Sequence, residues 1–200
     1  MKQKQAKQVG AGVLLVLAIL LGVVHVAFHH SEARESTIPT VTPKSDELKV
    51  WDQYVGTWNL KGVNKRAEWN PEEQHFTGRA QIQWDLKGQF TNCQARFHFS
   101  GQTEDFDFLL LRTYDKEKKV FRSWYFDSNG VFPRSDTTGR WNPNAQTLTW
   151  TTDMGEGRTQ TTIDRFLDKD TMQWSSVTKD KQGTTLWDTQ GTGTRYKEKK

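Results

Sequence analysis

The sequence predicts an all-β domain: an antiparallel up-and-down β-barrel of about ten strands, preceded by a short N-terminal helix and standing behind one transmembrane helix. Three observations carry that expectation. From residue 57 to residue 196, short β-rich runs alternate with turn residues at roughly 8–12-residue spacing. Within the run 76–84, Phe76, Gly78, Ala80, Ile82 and Trp84 share one face while Thr77, Arg79, Gln81 and Gln83 share the other, the period-2 signature of a half-buried strand. Finally, so many consecutive antiparallel neighbours exceed what a flat sheet holds comfortably, and closing the sheet on itself removes its exposed edges. An open sandwich is the alternative architecture.

Residues 1–8 form a basic stretch with Lys2, Lys4 and Lys7 and no acid. Residues 9–28 are apolar apart from His25, and about 20 such residues at a helical rise span a bilayer core. The basic flank keeps the N-terminus cytoplasmic and sends the remainder across. A cell-membrane, single-pass protein with its C-terminal domain outside the cytoplasm is therefore expected. The apolar run exceeds the core of an ordinary signal peptide, although Ser31-Glu32-Ala33 offers a cleavage site; cleavage near Ala33 would give a secreted or periplasmic domain instead. Residues 29–44 are polar, carry Pro39 and Pro43, and read as a linker.

The domain proper is 45–200. Ser45-Asp46 offers a helix start, Leu48, Trp51 and Tyr54-Val55 recur on one face, and Gly56 stands where a helix stops, which predicts a short amphipathic helix over 46–54. The strand runs follow at 57–64, 76–85, 90–99, 104–114, 119–126, 134–141, 146–152, 158–167, 171–179 and 184–196. Segments such as Asp115-Lys116-Glu117-Lys118, Asn142-Pro143-Asn144 and Asp168-Lys169-Asp170 supply the turns between them.

Composition narrows the function. Nine Trp, eleven Phe and four Tyr in 200 residues give large side chains to the core of a chain that is only 34% hydrophobic overall. The net charge of +4 resides in the two lysine-bearing termini, and residues 34–196 are neutral. No basic face is gathered, so nucleic-acid binding is not expected. Cys93 is the sole cysteine, which excludes an intramolecular disulfide and a cysteine zinc site; its alternation with Ala95 and Phe97 reads as a small buried residue.

Gly56-Thr57-Trp58 opens the first strand, and Gly193-Thr194-Arg195-Tyr196 ends the last. This pairing resembles the lipocalin-like (calycin) barrels. The resemblance implies that Gly56 and Trp58 close one end of the barrel and that Arg195 lies over the Trp58 ring. The pattern from Gly56 through Tyr114-Asp115, Ser123-Trp124 and Asp127-Ser128-Asn129-Gly130 to Arg195-Tyr196 is also similar to a bacterial lipocalin-like family of unknown function. Fold follows from such a likeness more readily than function does.

No nucleophile elbow, phosphate-binding glycine loop or His-Glu-x-x-His pair occurs, so no catalytic residue, metal site or cofactor is assigned. His98 alternates with Arg96, Gln94 and Asn92 and reads as solvated. Glu104, Asp105 and Asp107 read as charges at a strand end, lacking the oxygen-rich loop that calcium requires. The remaining signal is aromatic, since Trp58, Trp84, Trp124, Trp141, Trp150, Trp174 and Trp187 place one ring in most strands. Facing inward, Trp84, Trp124 and Trp141 would line a pocket for a small hydrophobic ligand, with Arg112, Arg122 or Arg140 engaging an acidic group at its mouth. The alternative is a filled barrel serving as a non-catalytic structural or protein-interaction module at the cell surface.

Overall fold

The structure, a computed structural model, describes residues 43–130 and 137–198. The transmembrane helix expected over 9–28, the basic stretch before it, the site near Ala33 and most of the linker lie outside the described residues. Among the described residues no helix is long and apolar enough to cross a membrane.

Eight residues, Asp46–Gln53, form the short helix that the sequence suggested over 46–54, and it is of the 3₁₀ type. Leu48, Trp51 and Tyr54 recur every three residues, so in a helix of about three residues per turn they stack on one edge. All three are buried to within about one per cent of full coverage. Ser45 makes no side-chain capping bond, and the helix is held by packing.

Ten strands follow: β1 (Gly56–Asn64), β2 (Gln74–Asp85), β3 (Phe90–Phe99), β4 (Phe106–Asp115), β5 (Val120–Asp127), β6 (Thr137–Asn142), β7 (Thr147–Gly155), β8 (Arg158–Asp168), β9 (Thr171–Lys179) and β10 (Thr185–Arg195). Each pairs antiparallel with its neighbour in sequence, and β10 pairs with β1, so the sheet closes into a barrel with no free edge. The Asp and Asn residues of the turns make this order local. Asp115 Oδ1 accepts from the Glu117 and Lys118 amides, Asn142 Oδ1 from Asn144 and Ala145, Asp168 Oδ1 from Asp170, and Asp180 Oδ1 from Gln182 and Thr184. Each side chain holds the chain reversal that starts the next strand. The β5–β6 seam is the shortest, aligning Phe121–Ser123 with Thr137–Gly139.

Register fixes which residues face the lumen. Trp58 opposes Ala80 on one side and Arg195 on the other, Ala80 opposes Ala95, and Ala95 opposes Phe108. Continuing around, Leu110 opposes Tyr125, Arg112 opposes Ser123, and Tyr114 opposes Phe121. The inner row is thus rich in aromatic and small residues, while Lys61, Arg79, Arg96 and Arg165 are on the outer wall. Inward glycines accommodate the rings: a Cβ at Gly191 would come within 2.5 Å of the Trp174 ring, and one at Gly139 within 2.7 Å of the Trp150 ring.

Candidate functional site

The two ends of the lumen differ. At one end the 3₁₀ helix lies across the opening, and Trp51 packs on Tyr54, Phe121 and Trp150 with ring centroids 5.1, 5.5 and 6.0 Å apart. Tyr54 meets Phe166 edge-on at 4.7 Å. Arg195 clamps this end: its guanidinium lies 4.3 Å from the Trp58 ring centroid and donates to the carbonyls of Val55 (2.6 Å), Gln53 (2.9 Å) and Lys169 (3.1 Å). Trp58 Nε1 donates to the Tyr54 carbonyl at 2.8 Å. The cation therefore joins the first and last strands and ties both to the helix.

Among the described residues the other end carries no helix. There Phe76 stacks on Trp174 at 5.7 Å and touches Phe97 and Phe99, Phe97 meets Phe108, and Phe108 meets Phe106 and Tyr125. Several of these inward rings stay half-buried, including Phe99, Phe106, Phe108, Tyr125 and Trp174. Burial next to Asp127 holds the Tyr125 hydroxyl well above the ordinary tyrosine range.

Between the aromatic end and the helix is a polar cluster. Asp164 is buried and accepts from Trp150 Nε1 at 3.2 Å and from the Tyr54 hydroxyl at 3.4 Å. Arg112 enters from β4; its Nη1 is 3.9 Å from Asp164 Oδ2, and its guanidinium is 5.1, 5.6 and 5.9 Å from the Trp150, Trp51 and Tyr54 rings. Burial raises the Asp164 carboxyl above its usual range, an effect that Arg112 and the two hydrogen bonds oppose. Desolvation and the nearby Asp164 push the Tyr54 hydroxyl far up. Burial likewise pushes the Cys93 thiol up to about 11, which keeps it protonated and unreactive.

The sequence-predicted site residues divide into three groups. Arg112 faces the lumen but sits beneath the helix, at the opposite end from the Phe76 and Phe97 rings. Trp84 and Trp141 also face inward near the helix; Trp84 Nε1 donates to Asp52 Oδ1 at 3.0 Å, and Lys44 Nζ lies 3.5 Å over its ring. Trp124, Arg122 and Arg140 are on the outer wall, because each alternates with an inward neighbour: Ser123 for the first two and Gly139 for the third. Trp124 packs there against Phe90 at 6.3 Å. Tyr54, Thr91 and Asp164 were not singled out from the sequence. Asp164 was within reach, since it shares its β8 face with Phe166 and a carboxylate on a core face is an anomaly.

The outer wall holds two concave grooves. One, of about 660 Å³, is bordered by Lys61, Thr77, Arg165 and Gln190; the other, of about 560 Å³, by Lys61, Arg79, Arg96 and His98. The acids near the second are engaged, Asp107 by Arg96 at 2.7 Å and Asp105 by His98 at 3.1 Å.

No family model matches the sequence, and no curated protein matches it. Solved structures do. Over 78% of this chain and 100% of the other, the fold is similar to the S-type phycobiliprotein lyase CPES from Guillardia theta, with a TM-score of 0.54 at 13% identity. Weaker likenesses, at TM-scores of 0.41 and 0.40 and 12% identity, connect it to a redesigned β-barrel, mFAP0, bound to DFHBI and to a protein of the DUF3598 family from Nostoc punctiforme. These cover 72% of this chain in each case, and 99% and 48% of the other. Ten strands in sequential order, a helix across one end and an arginine of the last strand over the tryptophan of the first give this chain a lipocalin-like barrel fold.

Proposed function

We propose that the barrel is a binding domain for a small hydrophobic ligand, which enters through the aromatic end and lies along β4. One observation carries this reading. The inner row of β4, from Phe106 through Phe108 and Leu110 to Arg112, is half-buried at every position, whereas Thr91, Cys93, Ala95 and Phe97 beside it on β3 are buried. That contrast between neighbouring strands supports space beside the inward side chains of β4. A site walled by aromatic rings with a few polar groups at its base has the composition of ligand pockets generally. Residues 9–28 are proposed to anchor this domain to the cell membrane with the barrel outside the cytoplasm, the linker 29–44 intervening; cell fractionation with N-terminal sequencing separates a retained anchor from cleavage near Ala33.

The binding test uses the full chain reconstituted in phosphatidylcholine vesicles and 12-bromododecanol, whose bromine quenches indole emission on contact. All nine tryptophans lie between residues 51 and 187, so the signal comes from the barrel. Saturable quenching is expected. Quenching that rises linearly without a plateau would remove the ligand-binding reading and leave the filled structural module.

A further inference from the structure

Charges that interleave along the sequence are gathered by register on one side of the barrel. The two outer-wall grooves share Lys61 and Thr77 and form one concave strip, which runs from β3 across β2, β1, β10 and β9 to β8. Its exposed cations are Lys61, Arg79, Arg96 and Arg165, and its single carboxylate, Asp105, is engaged by His98 at 3.1 Å. Arg96 is held by Asp107, and Arg79 lies 4.4 Å over the Tyr196 ring. Lys61 and Arg165 differ, because among the described residues neither has an ion pair. One register row joins them: Lys61 opposes Thr192, Thr192 opposes Gln173, and Gln173 opposes Arg165. Three strand steps, roughly 14 Å, separate the two cations, and the residues between them present a hydroxyl and an amide. Residues 34–196 carry no net charge, so the strip is a local positive field on a neutral domain.

We infer that this strip binds a linear anionic polysaccharide, with acidic groups of the polymer on Lys61 and Arg165 and sugar hydroxyls on Thr192 and Gln173. The inference is independent of any ligand in the lumen. Unpaired cations separated by neutral donors and acceptors match a polymer whose charges are spaced by hydroxyl-bearing rings, since charge-assisted bonds form at the cations and ordinary ones between them. Two other polyanions fit less well. A single-stranded nucleic acid needs aromatic side chains on which its bases stack, and the strip presents none. Phe76 and Trp174 border it but stack on one another in the lumen, and Tyr196 is covered by Arg79. An anionic bilayer is flat, whereas the strip is concave, and Gly62 and Gly191, paired in register, line it without side chains.

The experiment titrates the full chain, held in phosphatidylcholine nanodiscs, against fluorescein-labelled heparin hexasaccharide and against a labelled oligothymidylate of equal charge, with anisotropy as the readout. The hexasaccharide is expected to bind saturably and at least about tenfold tighter than the oligothymidylate. Lys61→Gln with Arg165→Gln should weaken it by at least about tenfold, and Gln173→Leu, which leaves the charge unchanged, by about threefold. Lys116→Gln with Lys118→Gln removes the same charge from the turn between β4 and β5, across the barrel from the strip, and should change the affinity by less than about twofold. Equal losses in the two double variants would reduce the contact to general charge attraction and overturn the inference. An oligothymidylate affinity that matches or exceeds that of the sugar would overturn it in favour of nucleic acid, and a hexasaccharide signal that never saturates would overturn it outright. The comparison of the two probes on the wild-type chain stands even if a variant fails to fold.

Discussion

At the scale of single residues, the decisive contact is Arg195 over Trp58. Trp58→Ala leaves a cavity at a fully covered position and is expected to cost roughly 3–5 kcal/mol. Arg195→Met forfeits three charge-assisted bonds to carbonyls and is expected to cost about 3 kcal/mol. Thermal denaturation of the two single variants and the double variant should show non-additivity of roughly 0.5–2 kcal/mol, the worth of the cation–π contact; strict additivity would mean that the ring and the cation act independently. Both residues were legible through the resemblance to lipocalin-like barrels, which implies a tryptophan opening the first strand beneath an arginine of the last. Acid residues give a second expectation with opposite signs. Lys197 and Arg96 hold Asp170 and Asp107 below the usual carboxylate range, so their stabilisation is present at neutral pH and disappears as acid protonates them. Asp164 is raised, so its penalty is present at neutral pH and is relieved on acidification. Melting temperatures from pH 7 to pH 2 should therefore fall less steeply for Asp107→Asn and Asp170→Asn than for the wild type, and more steeply for Asp164→Asn.

At the scale of elements, the strands were readable because local chemistry specifies them. Asp115, Asn142, Asp168 and Asp180 each bind backbone amides two to four residues ahead, so the turn residue and the strand start are encoded together. The helix was placed by the sequence but its type was not legible, since a spacing of three and a spacing of 3.6 look alike over one face of eight residues; Leu48, Trp51 and Tyr54 are buried together on the tighter turn. Inward glycines were opaque for another reason, because their purpose depends on rings in other strands. Gly191→Ala would press on the Trp174 ring and on the Lys61 carbonyl at 2.7 Å and should lower stability by roughly 1–3 kcal/mol in denaturant titration. Gln190→Ala, exposed on the same strand, should change it by less than about 0.5 kcal/mol. Equal effects would show that the lumen beside Trp174 is loosely packed.

For the whole molecule, closure without edges follows from ten strands each paired to its sequence neighbour, while the difference between the two ends follows from a single helix. Among the described residues, that difference sets a helix-covered base against an end walled by aromatic rings. The sequence expected Trp84 and Trp141 to face inward, as they do, but set Arg112 at the mouth, whereas it lies under the helix beside Trp51 and Trp150. It also drew in Trp124, Arg122 and Arg140, whose outward facing depends on cross-strand register over the short β5–β6 seam. Tryptophan enrichment alone could not separate a ring in the lumen from one on the wall. Indole N–H chemical shifts make that separation directly. With ¹⁵N-tryptophan-labelled full chain in lipid nanodiscs, titration with 12-bromododecanol should move the indole signal of Trp174, at the aromatic end, in a saturable manner. The signals of Trp124 and the exposed Trp69 should stay in place. Movement confined to Trp124 or Trp69, or none at all, would contradict a ligand site inside the barrel.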